Sequence, residues 1–264
     1  MLVSVPHYGT QPLPHVTCDD YCEPRFETFA YGFADLFAAD VYGDLHEHGA
    51  TVVATPVSRM FVDVNRRRDD FEEHGGAVRS KRGVVRTHTM RDVAIFARPL
   101  TCDDVEERLR TLYDPYYATL DELVAETHRA YGYAIVVDAH TGSPRRMQDH
   151  QVIIGTRHRS TCAPAVAETA AAIFTRHGFD VRDNVAGYTG GNIVATFGRP
   201  DRVHALQIEV NSALLTTTAR DEVIAHITRG GVPEKAHENI ARLRACVGEL
   251  VTALGQRSFG CSSS

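Results

Sequence analysis

Three short apolar runs in this sequence each end on a side chain able to bind a metal ion or move a proton. The segment "LVSVPHYGT", residues 2–10, reaches His7; "YAIVVDAH" ends on Asp138 and His140; "HALQIEVN" ends on Glu209 and Asn211. Two imidazoles and a carboxylate make up the ligand set of a hydrolytic zinc site, where a fourth position stays open for water. Each segment alone has a plainer reading. His7 suits a satisfied histidine near a chain terminus, and Glu209 suits the polar face of a half-buried strand that alternates with Leu206, Ile208 and Val210. Their recurrence points further, because ligands and catalytic groups in open α/β sheets gather at the carboxyl ends of strands.

Those side chains need elements to place them. Val3 and Val5 predict a buried first strand, and Gly9, two residues after His7, permits a tight or left-handed bend. "ETFAYGFADLFAADVYGDLHEH" predicts one helix over 27–48 closed by Gly49, and "ATVVATP" a strand after it. "SRMFVDVNRRRDDF" alternates apolar and polar residues before a charge cluster, which predicts a strand running into a surface loop. Residues 65–92 read as loop with a short hairpin. A long helical stretch over 101–131 has Thr101 as its cap, Asp103 and Asp104 in its first turn, and Pro115 to break or kink it. "HQVIIGTR" follows, then a helix over 163–177, and a final helix over 234–255. Helices that alternate with short apolar strands imply an α/β fold, with a sheet covered on both faces.

Composition excludes several function classes. With 264 residues and a formal net charge of −6, the chain lacks the basic excess of a nucleic-acid protein. No apolar run approaches the length of a spanning helix, and the start "MLVSVPHYGT" lacks the regions of a secretory peptide, so a soluble cytoplasmic protein is expected. Neither repeats nor linkers mark a boundary, which leaves residues 1–260 as one domain. The six cysteines are scattered, unlike a disulfide framework or a paired zinc site. "GYTGG" lacks the lysine and hydroxyl of a phosphate loop. "RHRSTCAP" places Ser160 and Cys162 near His158, without the motif of a nucleophile elbow.

Taken in order, "VPHYGT", Asp35 in "ADLFAADVY", "SRMFVDVNR", "RLRTLYDPYYATL", "VDAHTG", "IIGTRHRSTCAP", "YTGGNIVATFGRP" and "LQIEVN" follow a pattern that resembles the N-formylglutamate amidohydrolase family across most of the chain. The resemblance implies a three-layer αβα fold with a mixed central sheet, like that of the metallocarboxypeptidases and aspartoacylase. It implies one divalent metal ion held by His7, Asp35 and His140, with zinc the first candidate and iron, cobalt or manganese also suited to such ligands. Asp40 and Asp44 share the predicted helix with Asp35 but not its face, and without the family pattern all three read as exposed carboxylates. Glu209 becomes the general base, Asp138 a partner that orients His140, and Arg59 the group that polarises the scissile carbonyl. Asn65 and Arg66 would hold the carboxylate of a small-molecule substrate, a task suited to the planar fork of arginine. Arg67 and Arg68 remain a solvated charge run.

The implied reaction is hydrolysis of an N-acyl, first of all N-formyl, amino acid or related carboxylate compound. Two departures bear on the substrate. Ser212 stands where the family commonly has arginine, and Tyr117 where it usually has histidine. Neither touches the expected metal site or the base. A different amide substrate, or a relative that binds ligand without turnover, stands as the alternative.

Overall fold

The structure is a computed structural model and describes residues 1–23, 31–219 and 221–256. Strands β1 (Leu2–Val5), β2 (Thr51–Ala54), β5 (Ala134–Gly142), β6 (Val152–Gly155), β7 (Val181–Asp183) and β8 (Val203–Asn211) form a six-stranded sheet in the order β2-β1-β5-β8-β6-β7. The first four run parallel, while β6 is antiparallel to β8 and parallel to β7, which makes the sheet mixed. A two-stranded hairpin of β3 (Glu73–His74) and β4 (Ala77–Val78) lies apart from it, inside the stretch expected to be loop with a hairpin.

Helices cover both faces. Helices α1 (Ala38–Tyr42), α5 (Pro164–Arg176) and α8 (His237–Gln256) pack on one face, over Val5, Val137 and Ile208. Helices α2 (Cys102–Arg108), α3 (Asp114–Tyr131) and α6 (Asn192–Phe197) cover the other, over Leu2, Val136 and Ala205. Successive strand residues point to opposite faces, so each strand feeds both cores. Two short helices, α4 (Pro144–Met147) and α7 (Val223–Thr228), follow the tips of β5 and β8. Among the described residues no helix is long and apolar enough to cross a membrane.

Thr101 caps α2 as its sequence predicts: its hydroxyl accepts from Asp104 N at 3.2 Å, and Thr101 N donates to the Asp104 carboxylate at 2.7 Å. Pro115 does not separate α2 from α3. A single π-helical turn, Leu109–Tyr113, joins them, and Pro115 sits in the first turn of α3, where its missing N–H leaves no gap.

Three expectations need correction. The helix over 27–48 is not continuous, and its residues 27–30 lie outside the described residues. After a short helical turn the chain bends at Asp35, whose N–H donates to His7 O at 2.8 Å. Phe37 then takes a left-handed conformation (φ 56°), α1 begins, and a 3-10 turn Leu45–His48 ends at Gly49 (φ 89°). A continuous helix would have directed the Asp35 N–H along its own axis and away from β1.

"SRMFVDVNR" forms no strand. Met60, Phe61, Val62, Asp63 and Val64 are all buried, so the alternation does not separate an inner from an outer face. Local turns hold the segment instead, Phe61 N to Ser58 O at 3.0 Å and Arg66 N to Asp63 O at 3.1 Å. Gly9, finally, serves close approach and not a left-handed bend. A Cβ there would lie 2.3 Å from the Pro56 carbonyl carbon.

Candidate active site

The face of β5 that carries Ala134 and Val136 continues as Asp138 and His140. In β8 the face of Val203 and Ala205 continues as Gln207 and Glu209. The parallel register sets Asp138 beside Gln207 and His140 beside Glu209. Near the carboxyl ends, one face of the sheet thus turns from apolar to polar on two neighbouring strands at once. His7 joins them two residues beyond β1. Asp35 arrives from the bend: its Oδ2 accepts from Thr141 N at 3.2 Å, Thr141 Oγ1 donates to Leu36 O at 2.7 Å, and Tyr42 Oη donates to His140 O at 3.0 Å.

His7, Asp35 and His140 offer ligand atoms that all lie within 4.8 Å of one another. Asp35 Oδ2 is 2.9 Å from His140 Nδ1 and 3.8 Å from His7 Nδ1. The far nitrogens are held by buried carboxylates: His7 Nε2 lies 2.7 Å from Asp63 Oδ1, and His140 Nε2 lies 2.9 Å from Asp138 Oδ1. A carboxylate behind each ring anchors Nε2 and aims Nδ1 toward Asp35. The donor set fits a divalent cation, since one carboxylate and two such imidazoles converge from different elements with their outer shells in place. The same spot also attracts positive charge from the chain itself, for Arg59 Nη1 sits 2.9 Å from His7 Nδ1 and 3.6 Å from Asp35 Oδ1.

Charge balance tunes these groups. Burial opposes ionisation of Asp35, but the two imidazoles outweigh it and hold the carboxyl below its usual range. Burial likewise opposes charge on His140; Asp138 and Glu209 overcome it and raise the imidazole well above its ordinary value. Glu209 behaves in the opposite way. Burial, aided by Asp35 and Asp138 and opposed by His140, pushes it up to about 7. Gln207 Nε2 donates to Glu209 Oε1 at 2.6 Å, and Gly191 N donates to Gln207 Oε1 at 2.6 Å. Gly142 makes room for the same carboxylate, because a Cβ there would meet Glu209 Oε2 at 3.0 Å and Met147 Sδ at 2.2 Å.

All seven residues singled out in the sequence, His7, Asp35, Arg59, Asn65, Arg66, His140 and Glu209, line one cleft of about 600 Å³. Their surroundings differ. The Arg66 guanidinium is 40% exposed and 3.8 Å from Asp63, free to meet a ligand. Asn65 is engaged on both sides of its amide: Nδ2 donates to Asp138 Oδ2 at 2.8 Å, and Oδ1 accepts from Ile193 N at 2.9 Å. Asp40 and Asp44 pair with Lys235 and Arg244, away from the triad. Ser212 is buried and lines the cleft. Tyr117 does not line it; the phenol donates to Val64 O at 3.0 Å and accepts from Asn192 Nδ2 at 2.6 Å, so it braces the wall from behind. Cys162 is buried and its thiol is pushed up to about 11 by burial, unsuited to a nucleophile.

Sequence reasoning missed Asp63, Arg86 and the role of the glycine-rich turn. Asp63 is fully buried; its Oδ1 meets His7, and its Oδ2 accepts from Arg59 Nη2 and Nε (2.7 and 3.1 Å) and from Arg86 at 3.4 Å. Those partners outweigh the cost of burial and keep it well below the usual carboxylate range. Arg86 is also buried; burial, with Arg59 beside it, pushes its guanidinium down to about 9. The available signal was an acid flanked by Val62 and Val64 and spaced i−4 and i+3 from two arginines.

Comparison with known proteins gives consistent results. The family model described as N-formylglutamate amidohydrolase matches residues 1–216. An N-formylglutamate deformylase of Pseudomonas aeruginosa is 29% identical over 270 residues, which span 96% of this chain and 92% of that protein. Its counterpart in Pseudomonas putida is 27% identical over 225 residues, 80% of this chain and 79% of that one. The crystal structure of an N-formylglutamate amidohydrolase from Ralstonia eutropha JMP134 superposes with a TM-score of 0.77 at 22% identity, covering 97% of this chain and 93% of the other. A protein of Agrobacterium tumefaciens shares the fold with a TM-score of 0.61 at 18% identity, over 94% and 90% of the two chains.

Proposed function

The chain belongs to the N-formylglutamate amidohydrolase family, and from that membership we propose that it is a metal-dependent amidohydrolase. In this reading it cleaves the linear amide of an N-acyl amino acid, N-formyl first, and releases formate or another small acid with the free amine. The relatives named N-formylglutamate deformylase support the reaction class. The observation that carries it is the meeting of His7, Asp35 and His140 within 4.8 Å, in one cleft with a carboxylate, Glu209, raised to about 7.

His7, Asp35 and His140 would hold one divalent ion, with zinc the best match to two imidazoles and a carboxylate and iron, cobalt and manganese the alternatives. When bound, that ion supplies Lewis acidity, which polarises an acyl carbonyl and makes water a nucleophile at neutral pH. Glu209 takes a proton from the attacking water and returns it to the leaving nitrogen, a task best served by a pKa near the working pH. Arg59, anchored on Asp63, donates to the carbonyl oxygen as negative charge builds there. Arg66 pairs with the carboxylate of the small-molecule substrate. Asn65 supports that grip from the cleft wall, its amide fixed between Asp138 and Ile193.

The test is formate or acetate release from a panel of N-formyl and N-acetyl amino acids, run with zinc-loaded and chelator-stripped protein. Chelator-sensitive release is the expected result. No release from any member despite bound zinc would overturn turnover in favour of ligand binding, and release indifferent to the chelator would remove the ion from the reaction.

A further inference from the structure

Outside the cleft, a second cavity of about 90 Å³ opens beside α2 and shares no lining residue with the first. Val16, Phe96 and Leu100, all buried, line it together with Arg108, the last residue of α2, of which only 5% is exposed. The guanidinium carbon of Arg108 stands 4.5 Å from the centre of the Phe96 ring and 5.9 Å from that of Phe61. Stacking of this kind uses the flat faces of the group and leaves its N–H edge for hydrogen bonds. Among the described residues nothing takes that edge: the Arg108 side chain forms no hydrogen bond or ion pair, and its buried Nη1 has no partner.

The neighbouring charges are spent on one another. Arg98 lines the same cavity, but its Nη atoms donate to Asp104 at 2.6 and 2.7 Å. Asp104 accepts from Thr101 N as well, at 2.7 Å, and Asp20 is held by Thr17, whose amide and hydroxyl donate to it at 2.8 and 3.1 Å. Of the acids that line the cavity, Glu107 alone has no hydrogen bond or ion pair at its carboxylate among the described residues, and it stands exposed at the mouth with His15, where salt and water screen it. Arg86, the other buried guanidinium with an unsatisfied nitrogen, has Asp63 at 3.4 Å. Burial pushes the Arg108 guanidinium down to about 10, which leaves it charged at neutral pH. The uncompensated charge inside the cavity is therefore positive.

We infer that this cavity is a second binding site, in which Arg108 takes the carboxylate of a small molecule. A carboxylate matches the edge of a guanidinium through two parallel hydrogen bonds, and the apolar wall of Val16, Phe96 and Leu100 strengthens such a pair by keeping water from it. The volume sets the size, since it holds roughly three waters or one carboxylate of about four to six heavy atoms. Acetate is the simplest probe of that class and should bind with a Kd of about 1–10 mM.

The experiment follows thermal unfolding of the zinc-loaded full chain, wild type and Arg108→Met, in sodium acetate, in sodium chloride at equal ionic strength, and in chloride with added acetamide as the neutral isostere. Acetate held in the cleft is common to both proteins, so the difference between them reads this cavity. At about 100 mM acetate the wild type should gain roughly 3–10 °C more than Arg108→Met, and acetamide should raise neither. In chloride the variant should be at least as stable as wild type, because methionine removes a buried charge that has no partner in the chain. An equal response of the two proteins to acetate, or a response to acetamide as large as that to acetate, would overturn the inference. Should Arg108→Met fail to fold, the Nε–Hε resonance of Arg108 in the wild type decides: a saturable shift with acetate and none with acetamide supports the site, and no shift up to about 100 mM acetate removes it.

Discussion

On one face of the sheet β5 and β8 set Ile135, Val137 and Ala139 beside Leu206, Ile208 and Val210, with uncharged Thr141 at the end of β5 and His204 at the start of β8. On the other face the same strands change after Val136 and Ala205 to Asp138, His140, Gln207 and Glu209. Both faces are buried, yet one buries mostly hydrocarbon and the other gathers carboxylates and imidazole. The difference teaches how this chain separates tasks: α1, α5 and α8 hold the first face with a large continuous core, and that support lets the second tolerate carboxylates and imidazoles that burial alone would neutralise. Each charged group on the polar face is matched by another, so its cost is offset only while the whole set is in place.

The sharpest way to break the polar face is Glu209→Gln, which keeps the shape and the contact from Gln207 but removes the base. Formate release should fall by about 10²- to 10⁴-fold with zinc content unchanged. On the apolar face the matching lesion is Phe174→Ala, a fully buried ring that meets Phe179 edge-on at 6.3 Å. Denaturant unfolding should show a loss of about 3–5 kcal/mol, while zinc affinity of the folded fraction stays the same. Should Phe174→Ala weaken zinc binding as much as it weakens the fold, the division between the faces would be wrong.

Smaller effects sharpen the same contrast. Asp138→Asn leaves the apolar side untouched and should reduce zinc affinity by about 10- to 100-fold, as read by competition with a chelator, because His140 loses the carboxylate behind its ring. The pH dependence of that affinity follows from the raised value of His140. Its carboxylate neighbours favour the protonated ring, and that proton must leave before an ion is bound, so zinc affinity should rise with pH and go on rising above the ordinary imidazole range. In Asp138→Asn the ring releases its proton more readily, and the rise should level off at a lower pH. A flat profile in wild type would mean that His140 is neutral in the metal-free protein.

The sequence makes part of this arrangement visible for a physical reason. His140 and Glu209 end apolar runs in β5 and β8, and parity along a strand assigns Asp138 and Gln207 to the same face; such features are local and survive in a linear reading. Asp35 was reached through a family pattern attached to the wrong local structure, since the residue sits in a bend and not on a helix face. Asp63 was hidden because its meaning lies 56 residues away, at His7. Arg86 escaped for the same reason, its partner Asp63 being 23 residues earlier. The "GYTGG" turn looked uninformative by composition, and only the fold shows Gly191 N on Gln207.

The spacing of the three ligand residues along the chain has a consequence for biogenesis. Positions 7, 35 and 140 straddle the midpoint of 264 residues, and the rings are aligned by Asp63 and by a strand, β5, that lies flush between β1 and β8. These three side chains meet only once β5 has paired with β1, so a cation held by all three would be taken up by a chain already folded through β5, and its uptake would report on completed folding as well as on metal supply.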